Sequence, residues 1–414
     1  MVTLENIYHA AYVLKDAARK TDLIYASALC RDLNTEIYLK TENLQTTGSF
    51  KLRGAYYKIS QLTDEEKKAG IIACSAGNHA QGVALAATHM GIHSVVCMPD
   101  GAPISKVEAT RGFGAEVCLV PGTYDDAYAR AVQMQKETGA TFIHPFDDDA
   151  VIAGQGTIGL EILEQLPDVE AVLVPVGGGG LISGVAYAIK TLNPAVKVYG
   201  VQAENAPSMV RSCREGRAVT LDTVTTFADG IAVKHPGDIT FSMVRKYVDD
   251  MVTVSEDEIA AAILALMEKQ KLVAEGAGAV GVAAAMFHKL PIDGKKAVCL
   301  LSGGNIDVNI LSRVITRGLV TSGRNTTLLI ALEDKPGQLL GVSSIISRCG
   351  ANVISVHHER SDAHMPVSSC YLKVGMETRN FDQIREIRQA MTDAGFHLVS
   401  DPAVERQLAE DEAE

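Results

Sequence analysis

Short runs dominated by apolar, β-branched residues alternate with segments of helical period along the first three-quarters of the chain. The runs Ile71–Cys74, Ser94–Met98, Glu116–Val120, Ala171–Val176, Val196–Val201 and Ala297–Leu301 predict strands. Most lack a polar–apolar alternation, which predicts burial on both faces. Between them, Tyr124–Thr138, Ile158–Leu166, Ile182–Thr191 and Ser255–Lys271 carry the helical period. The last opens on Ser255-Glu-Asp-Glu258, where side chains three apart can satisfy each other's orphan backbone N–H groups. Buried strands separated by helices predict an α/β fold with a mostly parallel sheet covered on both faces.

The pattern changes near Thr321-Ser-Gly-Arg-Asn325, a polar stretch read as a linker. Beyond it a strand (Thr326–Leu332), a helix (Gly337–Cys349), strands at Asn352–Glu359 and Val367–Gly375, a helix (Phe381–Ala394) and a strand (Phe396–Ser400) are expected. That order is β-α-β-β-α-β, a small α+β unit of the split βαβ kind. The expected division is 1–320, a linker at 321–325, a unit at 326–402 and an acidic tail at 403–414. The last six residues, Ala409–Glu414, carry four acids and are expected to fray.

Composition narrows the class of function. The 414 residues suggest two to three domains, and 47% hydrophobic with 21% charged residues is ordinary for a globular chain. The net charge of −12 and the lack of a basic run argue against nucleic acid as a partner. No apolar stretch reaches the roughly 18 residues that span a bilayer, and the N-terminus has no secretory pattern. The closest of the eight cysteines are 21 residues apart, so no CxxC spacing offers a metal or redox motif. Reduced cysteines inside apolar runs suit the cytoplasm.

Four segments carry candidate chemistry. Lys51, between Phe50 and Leu52 in Thr46-Thr-Gly-Ser-Phe-Lys-Leu-Arg-Gly-Ala55, is a candidate nucleophilic amine, since apolar surroundings disfavour its charged form. A snorkelling lysine at a helix start is the competing reading. Ser75-Ala-Gly-Asn-His79 follows a strand and opens a helix, so its N–H groups can take a carboxylate or simply form a capped turn. Gly177-Gly-Gly-Gly-Leu181 follows another strand. Four successive glycines are costly in chain entropy, and a close approach to a phosphate explains them. Ser302 ends the strand Ala297–Leu301, the position where sites collect in parallel sheets. Gly276-Ala-Gly-Ala-Val-Gly281 matches GxGxxG but follows a helical segment. Helix packing through small residues explains it better than a dinucleotide. A nucleophilic lysine, a carboxylate loop, a phosphate cradle and a strand-end serine are complementary. Together they fit pyridoxal 5'-phosphate, a phosphorylated aldehyde that needs an amine.

The segments SFKLRGA, SAGNHAQG, GGGGL and LSGGN, in this order and spacing, resemble the threonine/serine dehydratases of the tryptophan-synthase-β-like pyridoxal-phosphate enzymes. The resemblance covers roughly residues 5 to 320. It implies a two-lobed catalytic domain, the smaller lobe at about 50–145. Lys51 would form the Schiff base with the cofactor and take the substrate's α-proton. Phe50 would flank the cofactor and Asn78 would contact the ring hydroxyl. Gly177, Gly178, Gly179, Gly180 and Leu181 would hold the phosphate, and Ser302 would bond the pyridine nitrogen. Ser75, Ala76, Gly77, Asn78 and His79 would bind the substrate carboxylate, and the loop Ala228-Asp-Gly-Ile231 would lie near the ring. The implied reaction is dehydration and deamination of L-threonine to 2-oxobutanoate and ammonia, with L-serine secondary, in threonine catabolism or isoleucine biosynthesis. Serine racemases resemble the chain too, but typically carry a serine where Ala76 stands. Racemisation needs a second acid/base on the opposite face, and alanine cannot be one. No metal site is expected.

Leu332-Glu-Asp-Lys-Pro-Gly-Gln-Leu339 and Gly350-Ala-Asn-Val353 resemble an ACT domain, a module that binds small amino acids. The resemblance implies an allosteric site for an amino-acid or nucleotide effector at Asp334, Pro336, Gly337 and Leu339. A purely structural dimerisation module is the alternative. A homotetramer is expected by family analogy.

Overall fold

The computed structural model describes residues 1–360 and 366–399. The chain divides into two compact units at Ile310/Leu311. The first contains β1 (Leu23–Tyr25), β2 (Glu36–Lys40), β3 (Ile71–Cys74), β4 (Ser94–Pro99), β5 (Glu116–Val120), β6 (Thr141–Phe142), β7 (Ala171–Pro175), β8 (Lys197–Ala203), β9 (Asp250–Val254) and β10 (Lys296–Leu300).

These strands form two sheets. The larger has the order β1-β2-β10-β7-β8-β9 and is parallel apart from the antiparallel β1–β2 pair. The smaller has the order β5-β4-β3-β6 and is parallel throughout. Residues 71–142 build the smaller sheet, and the strands on either side of that stretch build the larger. All six expected strands form, within two residues at each end. The four the apolar pattern missed are β1, β2, β6 and β9. β1 and β6 have three and two residues, and β9 lies at the sheet edge, so none needs a continuous apolar run. β2 is central but ends on Lys40, a buried charge. In contrast, every residue of β3 and β7 is buried.

The core of the large sheet joins Val172, Val174, Val198, Val298 and Leu300 to Ile182, Val185 and Ile189 of the helix Gly180–Leu192. The expected helix at 158–166 is longer, Asp149–Gln165. Asp148 starts it by accepting from the Ala150 and Val151 amides. The segment at 255–271 has the expected capping box, is α-helical over Glu256–Ala265, and widens to a π turn over Leu266–Gln270. The GxGxxG segment lies in the helix Gly276–Met286, whose first ten residues are all buried. A Cβ at Gly278 would strike the Gly303 carbonyl. Close packing explains these glycines.

In the second unit, β11 (Asn325–Glu333), β12 (Asn352–Glu359), β13 (Ser369–Glu377) and β14 (His397–Val399) form an antiparallel sheet of order β12-β13-β11-β14. The helices Gln338–Arg348 and Phe381–Asp393 cover it through Val342, Ile345, Ile346, Ile387 and Met391. This is the β-α-β-β-α-β order read from the sequence. Residues 321–325 are the end of the helix Val308–Thr321, a turn with Gly323 at φ +64° and the first residue of β11. The Arg324 amide donates to the Leu319 carbonyl there. The division between units thus falls earlier than the polar stretch suggested. The acidic tail and the end of the last expected strand lie outside the described residues. Among the described residues no helix is long and apolar enough to cross a membrane.

Candidate active site

Lys51 is the first residue of the helix Lys51–Ser60, with Phe50 at its cap. Its Nζ donates to the Pro145 carbonyl at 2.8 Å and stands 5.4 Å from the Phe50 ring centroid. Burial pulls this amine down to about 8, against the opposing charge of Glu275. The snorkelling alternative therefore fails, because Nζ turns inward.

Arg53, two residues on, fixes the start of this helix. Its Nε and Nη2 donate to both Glu42 oxygens at 2.9 and 2.8 Å. Nη1 and Nη2 reach the Glu161 carboxylate at 2.6 and 2.9 Å. Lys40 joins from β2, its Nζ 2.6 Å from Glu161. Two cations and two carboxylates thus meet in the interior. Arg53 has no role legible from the sequence motif alone. A charge inside a motif that is mostly apolar and small was the available signal.

The loop after β3 leads into the helix Asn78–His89. Gly77 donates its amide to Ser75 Oγ at 3.1 Å. The amides of Ala76, Asn78 and His79 have no partner among the described residues. A Cβ added at Gly77 meets open space, so the loop faces a gap. The His79 ring does not join it. His79 is buried, and Nε2 bonds the Ile143 carbonyl at 2.9 Å. Burial, then the charge of Lys51, pulls it down to about 3, so it is neutral. Of His79, only the main chain is left for an anion.

The glycine loop follows β7, and Gly179, at φ +98°, caps the helix Gly180–Leu192. A Cβ at Gly178 would lie 2.5 Å from Phe146 ring carbons, and one at Gly180 2.9 Å from the Phe146 main chain. At Gly179 it would lie 2.7 Å from Met209 and 2.8 Å from Thr240. Three glycines are thus set by packing against protein. Gly177 approaches Ile231 of the loop 228–231, at 3.1 Å for an added Cβ. The consequence of this packing is a row of amides, Gly177 to Leu181, that no described residue accepts from. An orphaned row at a helix start is suited to take an anion such as a phosphate.

Ser302 is buried, and its hydroxyl makes one long contact, 3.4 Å to the Ala277 carbonyl. Its own carbonyl accepts from the Phe50 amide at 3.1 Å, and Ser49 pairs with Gly303. These bonds tie the lysine loop to the strand-end loop.

A second residue missed by sequence is Glu275, at the N-cap position of the helix Gly276–Met286, whose buried carboxylate makes no cap bond. Its Oε1 accepts from Asn78 Nδ2 at 2.7 Å. Asn78 Oδ1 in turn accepts from Asn305 Nδ2 at 2.8 Å, and Asn305 also donates to the Thr47 carbonyl at 2.8 Å. Asn78 is therefore gripped at both ends, with one N–H left to donate. Burial, then the negative charge of Asp229, pushes the Glu275 carboxyl up to about 7, although Lys106, Asn78 and Lys51 oppose it. Asp229 carries its own ion pair to Lys106 of the helix Ile104–Gly112, which belongs with the smaller sheet. A perturbed carboxyl beside a perturbed amine marks a functional site.

This predicts a pH signature in the cofactor-free chain. The folded value lies above the ordinary 4.5, so ionising Glu275 costs stability between about 4.5 and about 7. Stability falls with rising pH across that window and is flat above it, as far as this group contributes. Glu275→Gln keeps the acceptor for Asn78 and loses the slope. Its melting temperature should gain on the native chain as pH rises, and parallel curves from pH 5 to 8, about the window above, would contradict this.

The four candidate loops are thus brought together, with the loop 228–231 and Glu275 added. Asp334, Pro336, Gly337 and Leu339 lie in the C-terminal unit. They line a pocket of about 310 Å³ beside His358 and Arg360. Gly337, at φ +93°, caps the helix Gln338–Arg348.

The family model for pyridoxal-phosphate dependent enzymes matches residues 14–303. An L-threonine ammonia-lyase of Thermotoga maritima is 54% identical over 398 residues, covering 96% of this chain and 99% of its own. The solved processed form of threonine deaminase isoform 2 from Solanum lycopersicum is 40% identical with a TM-score of 0.72, covering 76% of this chain and 88% of its own. Maize serine racemase is 33% identical with a TM-score of 0.73, covering 77% and 98%.

Proposed function

The chain belongs to the pyridoxal-phosphate dependent enzymes, and we propose that it is an L-threonine ammonia-lyase that releases 2-oxobutanoate and ammonia, with L-serine as a secondary substrate. The observation that carries this reading is the placement of the Lys51 amine beside two sets of amides unpaired among the described residues, Gly177–Leu181 and those of Ala76, Asn78 and His79.

The first set suits the cofactor phosphate and the second the substrate carboxylate. When bound, pyridoxal phosphate supplies an aldehyde that condenses with amines and a conjugated ring that takes up electrons from the substrate. The protein does the rest. The five amides hold the phosphate without a lysine or arginine. Asn78, oriented by Glu275 and Asn305, donates its remaining N–H to the ring oxygen. Ser302 offers a neutral hydroxyl to the ring nitrogen, so the ring gains no fixed positive charge from a carboxylate partner. Ser302 would thus leave the ring nitrogen without a charged partner, a setting that suits prompt loss of the β-hydroxyl. Lys51 Nζ takes the α-proton as a positioned base. Phe50 packs beside the lysine.

Ala76 favours dehydration over racemisation, since no acid/base stands at that position. The C-terminal unit is read as an ACT-like regulatory domain binding an amino acid or nucleotide at Asp334, Pro336, Gly337 and Leu339. The open pocket and the left-handed Gly337 at the helix cap support this. A cytoplasmic homotetramer completes the proposal.

The test follows 2-oxo acid release from L-threonine and L-serine, with D-serine assayed in parallel. Faster 2-oxobutanoate than pyruvate and no comparable D-serine is the expected result. D-serine formed as fast as ammonia would replace this reading with a racemase.

A further inference from the structure

We propose that the C-terminal unit carries a transition-metal site formed by Asp334, His358 and Cys370. Their ligating atoms all lie within 4.8 Å of one another. His358 Nε2 stands 2.8 Å from Cys370 Sγ. The fold makes this cluster from three strands. His358 on β12 lies opposite Leu372 on β13, and Cys370 is two residues from Leu372 on the same face. Asp334 directly follows β11, whose last residue pairs with Ser369. The Asp334 amide donates to the Ser368 carbonyl at 2.9 Å, fixing its turn beside the start of β13.

The donor set selects the cation. One imidazole nitrogen, one sulfur and one carboxylate oxygen suit Zn²⁺, Co²⁺ or Ni²⁺, whereas Mg²⁺ and Ca²⁺ take oxygen ligands. Three protein ligands leave the fourth tetrahedral position to water or a small ligand. Tetrahedral bonds of 2.0–2.3 Å set neighbouring donors about 3.5 Å apart. The exposed Asp334 and His358 side chains can move by the roughly 1 Å this requires, while Cys370 is anchored in the core. Arg360 donates to Asp334 Oδ1 at 3.0 Å, leaving Oδ2 for the metal. It is the kind of outer partner that orients ligating carboxylates. On binding, the thiol proton of Cys370 passes to solvent and Sγ bonds the metal. Asp334, His358 and Arg360 also line the pocket at Pro336–Gly337, so the open coordination position faces that pocket.

The test titrates the full, cofactor-loaded chain, first stripped with a chelator, with Co²⁺. The expected result is one equivalent per chain with the visible absorption of a thiolate-ligated, tetrahedral ion, displaced by Zn²⁺. Cys370→Ser should abolish the absorption and His358→Ala should weaken binding at least about tenfold. Cys349→Ser, at the other cysteine of this unit, should leave it unchanged, with circular dichroism confirming the fold of each variant. Unsaturable uptake without the absorption, or the same absorption in Cys370→Ser, would overturn the proposal.

Discussion

Lys51→Ala is expected to lower 2-oxo acid release from L-threonine by at least about a thousandfold, because it removes the amine and the base together. The fold should survive. Alanine suits the first turn of a helix, and the single bond lost is 2.8 Å to the Pro145 carbonyl. Lys51→Arg should be equally inactive, since a guanidinium cannot give up its proton near neutral pH. The native amine is protonated below about 8 and free above it. Uptake of pyridoxal phosphate by the cofactor-free chain needs the free amine, so its rate should climb with pH until about 8 and then level. A flat uptake profile, or residual activity within tenfold of the native chain, about the scale of an auxiliary contact, would remove Lys51 from its proposed role.

The second large effect concerns stability. Arg53→Met strands Glu42, which is fully buried and whose carboxylate otherwise accepts only from Thr21 among the described residues. Breaking a buried pair in this way typically costs about 3–5 kcal/mol. Burial alone would raise the Glu42 carboxyl, and the Arg53 guanidinium holds it below its usual range instead. The double variant Arg53→Met/Glu42→Gln removes the stranded charge and leaves Lys40 paired with Glu161. Denaturant midpoints should show a large loss for the single variant and partial recovery for the double. Losses that simply add would mean that the two residues do not couple.

The local elements were readable because they rest on near-neighbour rules. β3 and β7 are continuous apolar runs, and Ser255 to Glu258 cap a helix through bonds spanning three residues. The glycine loop was readable as a cradle, but the reason for each glycine lies in distant packing. Gly178 and Gly180 are demanded by Phe146, more than thirty positions earlier. His79 keeps its main-chain N–H for the loop, while its ring faces the Ile143 carbonyl, a partner 64 positions away that no local pattern announces.

Glu275 was unreadable for a related reason. Nothing near it in the chain distinguishes it from an ordinary helix cap, and Asn78, its partner, is 197 residues away. Asp334, His358 and Cys370 likewise match no metal spacing, and become neighbours only when three strands pair.

The sequence by itself determined the alternation of strand and helix, the small β-α-β-β-α-β unit, and the four loops that carry an amine, two sets of N–H donors and a hydroxyl. Those follow from apolar period, capping and the backbone freedom of glycine, all properties of adjacent residues. Only the tertiary structure decided that the first unit has two sheets, that Lys51 turns inward to an amine of about 8, and that Asn78 is locked between Glu275 and Asn305. Burial and hydrogen-bond orientation depend on which distant segments meet, and that is settled by packing the whole chain.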